Sequence, residues 1–378
     1  VFVIAITVGI VLFPIAPPHR VTFSTNPPFS KGAWGEVSRS TPSQPALAGS
    51  DFQVESLDLP EATVPTTSIT DQNAVATRSE ASLSMLRVSE RSVDPPSSLL
   101  LLACGDLMLR AVPSGALDEI QPLLQEAEFR VGNLECVLTQ RGTPVPQKPF
   151  TFRDPNGLAI LQKAGIDLVS LANNHSWDYQ WDGMEDTFRS LDQAGIKTVG
   201  FANPTHSASI VVEKKGIRVA FLAFAEADLL WKPFWFQEGV GIPLVEESPM
   251  VEAVSSAKAG GVDHVVVFLH WGEEGSTRAL ASQKELAHRL VDAGASLILG
   301  SHSHTAQEVE TYRGAVIAYS LGDCLFGSST SEDCGQLLEV CLDPKGSLQW
   351  CKIVGLTMRE GVLSATWIRQ LETRNNVR

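Results

Sequence analysis

Between residues 98 and 304 the chain alternates apolar runs with amphipathic stretches, and five of the runs end in a small cluster drawn from Asp, Asn, Glu and His. Run 98–104 ends in Gly105-Asp106, and run 129–132 in Asn133-Leu134-Glu135. Run 167–171 ends in Ala172-Asn173-Asn174-His175, run 264–269 in His270-Trp271-Gly272, and run 296–299 in Gly300-Ser301-His302-Ser303-His304. Continuous apolar runs of this length read as strands buried on both faces. Stretches 116–126, 156–164, 183–194, 247–259 and 278–293 carry helical patterns. Further strands are expected at 197–200, 209–212 and 218–224, and 308–369 has strand-like runs without a good helix. This alternation predicts an α/β fold with a β-rich C-terminal part. In open α/β sheets the ligand site lies beyond the carboxyl ends of strands, so polar clusters at five such ends predict one site.

Singly, each cluster has an ordinary structural explanation. Gly-Asp after a strand is commonly a turn or a helix cap, and Asn133-x-Glu135 could be a capping arrangement. A lone histidine such as His270 is more often a satisfied structural residue. Asn173-Asn174-His175 is harder to dismiss, because three adjacent polar side chains at a buried strand end all need partners. His302 and His304 project to the same side of an extended backbone, a spacing that suits a metal. Together Asp106, Glu135, Asn174, His270, His302 and His304 form a mixed nitrogen and oxygen set without a thiolate. Such a set suits Mn2+, Zn2+, Fe or Mg2+, and does not suit a soft metal or an iron–sulfur cluster. It has more donors than one ion needs, so two ions about 3.5–4 Å apart, able to activate water for a phosphoryl displacement, are expected.

The ordered series Cys104-Gly105-Asp106-Leu107-Met108-Leu109, Gly132-Asn133-Leu134-Glu135, Ala172-Asn173-Asn174-His175-x-x-Asp178-Tyr179, His270-Trp271-Gly272-x-Glu274, Gly300-x-His302-x-His304 and Tyr319-Ser320-Leu321-Gly322 resembles the CapA-type poly-γ-glutamate capsule synthesis family. The likeness covers about 100–327. That family is related to the calcineurin-like metallophosphoesterases, so the resemblance implies a four-layer α/β/β/α metallophosphoesterase-like sandwich. It assigns Asp106, Glu135, Asn174, His270, His302 and His304 as ligands of one or two divalent ions, Mn2+, Zn2+ or Fe. His175 would match the histidine that assists the leaving group or contacts phosphate. Asp178 would orient it, and Glu274 would support the ligands or contact substrate.

The chain also departs from the pattern. The Asp-x-His that opens an ordinary phosphoesterase site is absent, because position 108 is Met108, which predicts depletion of one metal position. The family tends to have Gly-His-His-Pro-His where this chain has Gly300-Ser301-His302-Ser303-His304. Ser-Leu-Gly-Asn-Phe becomes Ser320-Leu321-Gly322-Asp323-Cys324, adding a charge near the site, and Gln180 replaces a glycine after Asp178-Tyr179.

Residues 1–17 are apolar apart from Thr7 and carry no charge. As a helix they would span about 25 Å, slightly less than a ~30 Å hydrocarbon core. Segment 1–18 is therefore expected to be a membrane anchor or a signal-peptide core, and the anchor is favoured because no A-x-A cleavage site follows. Either reading makes the globular part extracytoplasmic: a single-pass cell-membrane protein, or a secreted one if the segment is cleaved. Segment 19–97 is dominated by Ser, Thr, Pro, Ala and Gly and is expected to be a disordered stalk, with a weak helical stretch near 80–90. The metallophosphatase-like domain is expected at 98–370 and a polar tail at 371–378.

Forty-three acidic against 29 basic residues give a net charge of −14 without any Lys/Arg block, which argues against nucleic-acid binding. None of the six cysteines forms a C-x-x-C pair, so neither a zinc ribbon nor a thioredoxin-type site is indicated. One disulfide among Cys324, Cys334, Cys341 and Cys351 is compatible with export. Cys104 and Cys136 have no evident base and are not expected to be nucleophiles. His206, His264 and His288 lie outside the clusters and receive no role. The aromatic residues Trp231, Phe234, Trp235 and Phe236 are expected to form a partly buried plug rather than a lid or membrane-contact patch.

The leading expectation is a membrane-anchored metallophosphatase-like protein of poly-γ-glutamate synthesis or export, hydrolysing a phosphoester or a related acyl or amide centre with metal-activated water. A non-catalytic accessory scaffold of a membrane polyglutamate synthase is the second, and fits Met108 and the stalk. A general phosphoesterase for nucleotides or lipid-linked phosphates is the third. The expected partners are an anionic polymer or phosphoester, the membrane and synthase subunits. A polyanion would be repelled at long range by a chain of net charge −14, so contact must rely on a local positive site such as the metals.

Overall fold

The structure, a computed structural model, describes residues 98–113, 115–203, 205–230, 241–326 and 333–373, with backbone only at 326, 333, 334 and 372. The expected anchor 1–18, the stalk 19–97, the aromatic positions 231–236, the Cys334 side chain and residues 374–378 lie outside the described residues.

The apolar runs form two sheets. In the first, β1 (Leu99–Met108), β2 (Phe129–Leu134), β3 (Leu168–Ser170) and β4 (Lys197–Val199) lie parallel in that order. On its other edge β1 pairs antiparallel with β12 (Asp333–Leu342), and the sheet continues through β13 (Leu348–Arg359) to β14 (Val362–Glu372). A short strand β11 (Asp323–Phe326) runs parallel to the end of β1. The second sheet has the order β5 (Ser209–Lys214), β6 (Ile217–Ala225), β7 (His264–His270), β8 (Leu297–Ser301), β10 (Ala315–Ala318), β9 (Val309–Tyr312). Strands β6, β7, β8 and β10 are parallel.

Period-2 alternation decides the layers. Val266, Phe268, Leu297 and Leu299 of β7 and β8 pack with Leu101, Val131 and Leu168 of the first sheet. Their alternates Val265, Val267, Leu269 and Ile298 face Met250 and Val254 of α4 (Glu247–Ala259) and Ala287 and Leu290 of α5 (Ala281–Asp292). The first sheet's cluster takes in Leu123 of α1 (Gln121–Glu126), Leu161 of α2 (Gly157–Ala164), and Met184, Phe188 and Leu191 of α3 (Gln180–Ala194). The result is a helix–sheet–sheet–helix stack, the α/β/β/α order the motif resemblance implied.

The C-terminal strands are not an appendage. β12 to β14 widen the first sheet beside β1, β9 and β10 complete the second, and β14 reaches Glu372, past the expected boundary at 370. The helical pattern at 116–126 yields a helix only from Gln121, because the ring of Pro122 tolerates only a first-turn position. β1 runs to Met108 instead of turning at Gly105, so Asp106 is a strand residue. Gly105 is required by close approach: a Cβ there would lie 1.9 Å from the Gly322 carbonyl oxygen, which accepts the Asp106 N–H at 2.9 Å. Cys351 carries a free buried thiol, so no disulfide includes it. Among the described residues no helix is long and apolar enough to cross a membrane.

Candidate metal centre

All six expected ligands come from strand ends at the same margin of the two sheets: Asp106, Glu135 and Asn174 from the first, His270, His302 and His304 from the second. Glu135, directly after β2, is fully buried, and neither carboxylate oxygen has a hydrogen-bond partner. His270 Nε2, at the end of β7, lies 3.5 Å from Glu135 Oε1 and 3.0 Å from Asn174 Oδ1. The His302 ring sits 4.7 Å from that of His270, and its Nδ1 is buried without a partner. One ligand atom each from Glu135, His270 and His302 fall within 4.8 Å of one another.

A second group adjoins the first. Asp106 Oδ1 accepts from Asn133 Nδ2 at 2.7 Å and Oδ2 accepts from the His302 backbone N–H at 3.0 Å. His304 Nδ1 stands 3.8 Å from Asp106 Oδ2 and 2.8 Å from Asp323 Oδ1. Ligand atoms of Asp106, His304 and Asp323 also fall within 4.8 Å of one another.

Local backbone strain aims the two histidines. His302 has φ 92° and His304 φ 54°, left-handed values that cost a non-glycine residue about 1–3 kcal/mol and cluster at functional sites. The turn can form because Gly300 lets the chain pass Tyr319, whose carbonyl oxygen a Cβ at 300 would meet at 1.8 Å. Ser301 Oγ lies 3.0 Å from His270 Nδ1 and fixes that ring, so its Nε2 faces Glu135 and Asn174.

Burial sets the electrostatics. It pushes the Asp106 carboxyl up to about 6, partly offset by His304. It pushes Glu135 well above the carboxylate range, and the charge of Asp106 adds to this. His302 is lowered to about 4 and His270 well below its ordinary value, first by burial and then by neighbouring imidazoles. Burial would lower His304 too, yet its hydrogen bond to Asp323 and the nearby carboxylates Glu135 and Asp106 hold it at about 10. Three buried carboxyl groups therefore surround one imidazolium, while two imidazoles held neutral by burial present lone pairs. Carboxyl groups whose ionised form lacks compensating positive charge, with the orphaned Glu135 oxygens and His302 Nδ1, fit a divalent cation.

Beside these groups, His175 Nδ1 lies 2.7 Å from Asp178 Oδ2, which also accepts the Phe152 N–H at 2.6 Å. Lys148 Nζ donates to Asp178 Oδ1 and, at 2.5 Å, to the Asn174 carbonyl. Burial lowers the basicity of His175, and the Asp178 hydrogen bond partly restores it. Glu274 is exposed and none of these hydrogen bonds reaches it. Met108 is packed in the apolar core. Gln180 has φ 56°, the left-handed value for which the family's glycine is suited.

Sequence reasoning gave no role to Asn133, Asn173, Ser301 or Lys148. Asn173 Nδ2 donates to Asn133 Oδ1 at 3.0 Å, and Asn133 Nδ2 approaches His270 Nδ1 at 3.3 Å, so the two amides tie the strand ends together. Both stood inside quoted motifs and could have been found there. Lys148 lies in a loop with no periodic signal.

The sequence matches the family described as "Bacterial capsule synthesis protein PGA_cap" over residues 100–328. The "Capsule biosynthesis protein CapA" of Bacillus anthracis is 30% identical over 217 residues, 55% of this chain and 52% of its own length. The "PGA biosynthesis protein CapA" of Bacillus subtilis is 29% identical over 213 residues, 55% of each chain. A "Probable polyglutamine synthesis accessory protein" of Mycobacterium tuberculosis is 27% identical over 212 residues, 50% of this chain and 53% of its own. The chain thus spans about half the length of the curated relatives it matches. Among solved structures, the calcineurin-like phosphoesterase YfkN of Bacillus subtilis aligns with 75% of this chain and 93% of its own, at 15% identity and a TM-score of 0.43.

Proposed function

Because this chain belongs to the bacterial capsule synthesis protein family, matched over residues 100–328, we propose that it is a divalent-metal-dependent, hydrolase-like component of capsule polymer synthesis or export. Its reaction is hydrolysis at a phosphoester or a related acyl or amide centre. The observation that carries this reading is Glu135, a fully buried carboxylate whose oxygens lack any hydrogen-bond donor while His270 and His302 converge on it. A polar cluster serving only the core would satisfy those oxygens.

Glu135, Asn174, His270 and His302 would hold one cation, and Asp106 and His304 are placed to help hold another. Bound cations would polarise the reacting oxygen and acidify an attacking water. The protein's own groups do the rest. Asn133 and the His302 N–H hold both oxygens of Asp106 in place. Asp178, itself held by Lys148 and the Phe152 N–H, orients His175 through Nδ1 and leaves Nε2 to deliver a proton to a leaving group.

The names of the relatives point to polyglutamate as the polymer. Cations at the site would also give a chain of net charge −14 a local attraction for an anionic polymer. In this reading the domain works outside the cytoplasmic membrane, with segment 1–18 as anchor or signal. A non-catalytic accessory role in a polyglutamate synthase complex is the second reading, favoured by Met108, buried in the core where a phosphoesterase has a ligand.

The test is metal content of the full chain by elemental mass spectrometry, with an Asp106→Ala/His302→Ala variant and an assay on p-nitrophenyl phosphate mono- and diesters. One to two equivalents of Mn, Zn or Fe, lost in the variant and accompanied by metal-dependent turnover, support the hydrolase. Metal without turnover of these esters or of polyglutamate favours the accessory role. No metal after incubation with Mn2+ or Zn2+ refutes the metal centre.

A further inference from the structure

The methionine at position 108 is expected to cost the centre a ligand, and the fold brings a further carboxylate to the same margin from a distant part of the chain. β11 lies parallel to the end of β1 with Asp106 directly opposite Asp323. Two carboxylates therefore emerge side by side at the margin where the histidines converge. Asp323 is 6% exposed, and its Oδ1 lies 2.8 Å from His304 Nδ1. Chain crossing sets this register: Gly322 passes so close to Gly105 that no Cβ fits, and the Asp106 N–H bonds to the Gly322 carbonyl at 2.9 Å.

A pair of buried acids alone would carry no inference. Here Glu135 of the first group has two unpartnered oxygens, and the charges of Asp106 and Asp323 both act on its carboxyl. His302, whose Nδ1 is buried without a partner, joins the two groups through its backbone, because its N–H donates to Asp106 Oδ2 at 3.0 Å. At 323 the family pattern has asparagine, a neutral donor, whereas this chain has a carboxylate that can balance a cation's charge.

We propose that Asp323 is a metal ligand that stands in for the one missing at position 108, completing with Asp106 and His304 a second cation site beside Glu135, His270 and His302. This rests on the metal-centre reading above and makes the second site oxygen-rich, two carboxylates to one imidazole, against one carboxylate and two imidazoles in the first. Oxygen-rich sites suit Mn2+ and Mg2+.

The test uses the full chain, stripped with a chelator and titrated with Mn2+, for wild type and Asp323→Asn. Bound manganese is counted by elemental mass spectrometry, and electron paramagnetic resonance distinguishes isolated from spin-coupled ions. The expected result is two equivalents with a coupled spectrum for wild type, and one equivalent with an uncoupled six-line spectrum for D323N. The retained equivalent, with an unchanged circular dichroism spectrum, shows that the variant is folded. Two equivalents in D323N would overturn the assignment of Asp323 and leave the metal centre standing, as would a single equivalent in wild type. Loss of both ions from a D323N protein with native circular dichroism would overturn the division into two sites. No manganese or zinc in wild type would overturn the metal-centre reading itself.

Discussion

Replacing Glu135 by methionine should make the metal-free protein more stable while abolishing its stabilisation by metal. Glu135 is 0% exposed, neither oxygen has a donor, and burial with the Asp106 charge pushes its carboxyl well above the usual range. A buried polar group left without a partner costs about 1–3 kcal/mol. Methionine is of similar length and carries no such group, so Glu135→Met should gain about 2 kcal/mol in chelator. At about 2–4 °C per kcal/mol for a domain approaching this size, Tm should rise by about 4–8 °C. Metal reverses the order. At a hundred times Kd a cation that binds only the native state adds about 2.7 kcal/mol to wild type. The variant, lacking the carboxylate, should gain almost nothing at that site. Thermal melts followed by circular dichroism in EDTA and in graded Mn2+ would show the two curves crossing. A variant less stable than wild type in EDTA would mean that Glu135 has a structural partner. An undiminished metal-induced shift in the variant would mean that it is not a ligand.

Lys148→Met should destabilise the protein by about 3 kcal/mol in urea unfolding, because it leaves the fully buried Asp178 without its cation. A Lys148→Met/Asp178→Asn double variant should recover more than half of that loss, and no recovery would show that the pair is not coupled. Apparent Mn2+ affinity should rise with pH across the neutral range. His270 and His302 are held neutral by burial and need lose nothing, whereas Glu135, raised well above its ordinary value, and His304, raised to about 10, must release protons to the buffer when the cation binds. Each proton released is worth up to about tenfold in affinity per pH unit. Calorimetry in buffers of different ionisation enthalpy would count them, and a count of zero would contradict the charge assignment.

The residue types and their places at strand ends were readable from the chain, because a strand buried on both faces excludes polar residues until it leaves the sheet. That logic located Asp106, Glu135, Asn174, His270, His302 and His304 at one margin, and the amphipathic pattern bounded α4 at both ends. It did not locate Lys148, which sits in an aperiodic loop and reaches Asp178 only through the folded chain. It placed Glu274 near the ligands by motif alone, and that side chain is exposed. It treated Asp323 as an added charge rather than a member of the site.

Local pattern in this chain therefore determines element type and the chemical inventory of the site, since both depend on periodicity and side-chain polarity within a few residues. Which donors meet was decided by long-range pairing. β11 and β12 both join β1, and only that register sets Asp323 opposite Asp106. The left-handed turn at His302 and His304, and the glycines that let Gly105 and Gly300 touch neighbouring carbonyls, are likewise products of chain crossing. Side-chain chemistry is written residue by residue, but distances between strand ends exist only once two sheets have packed.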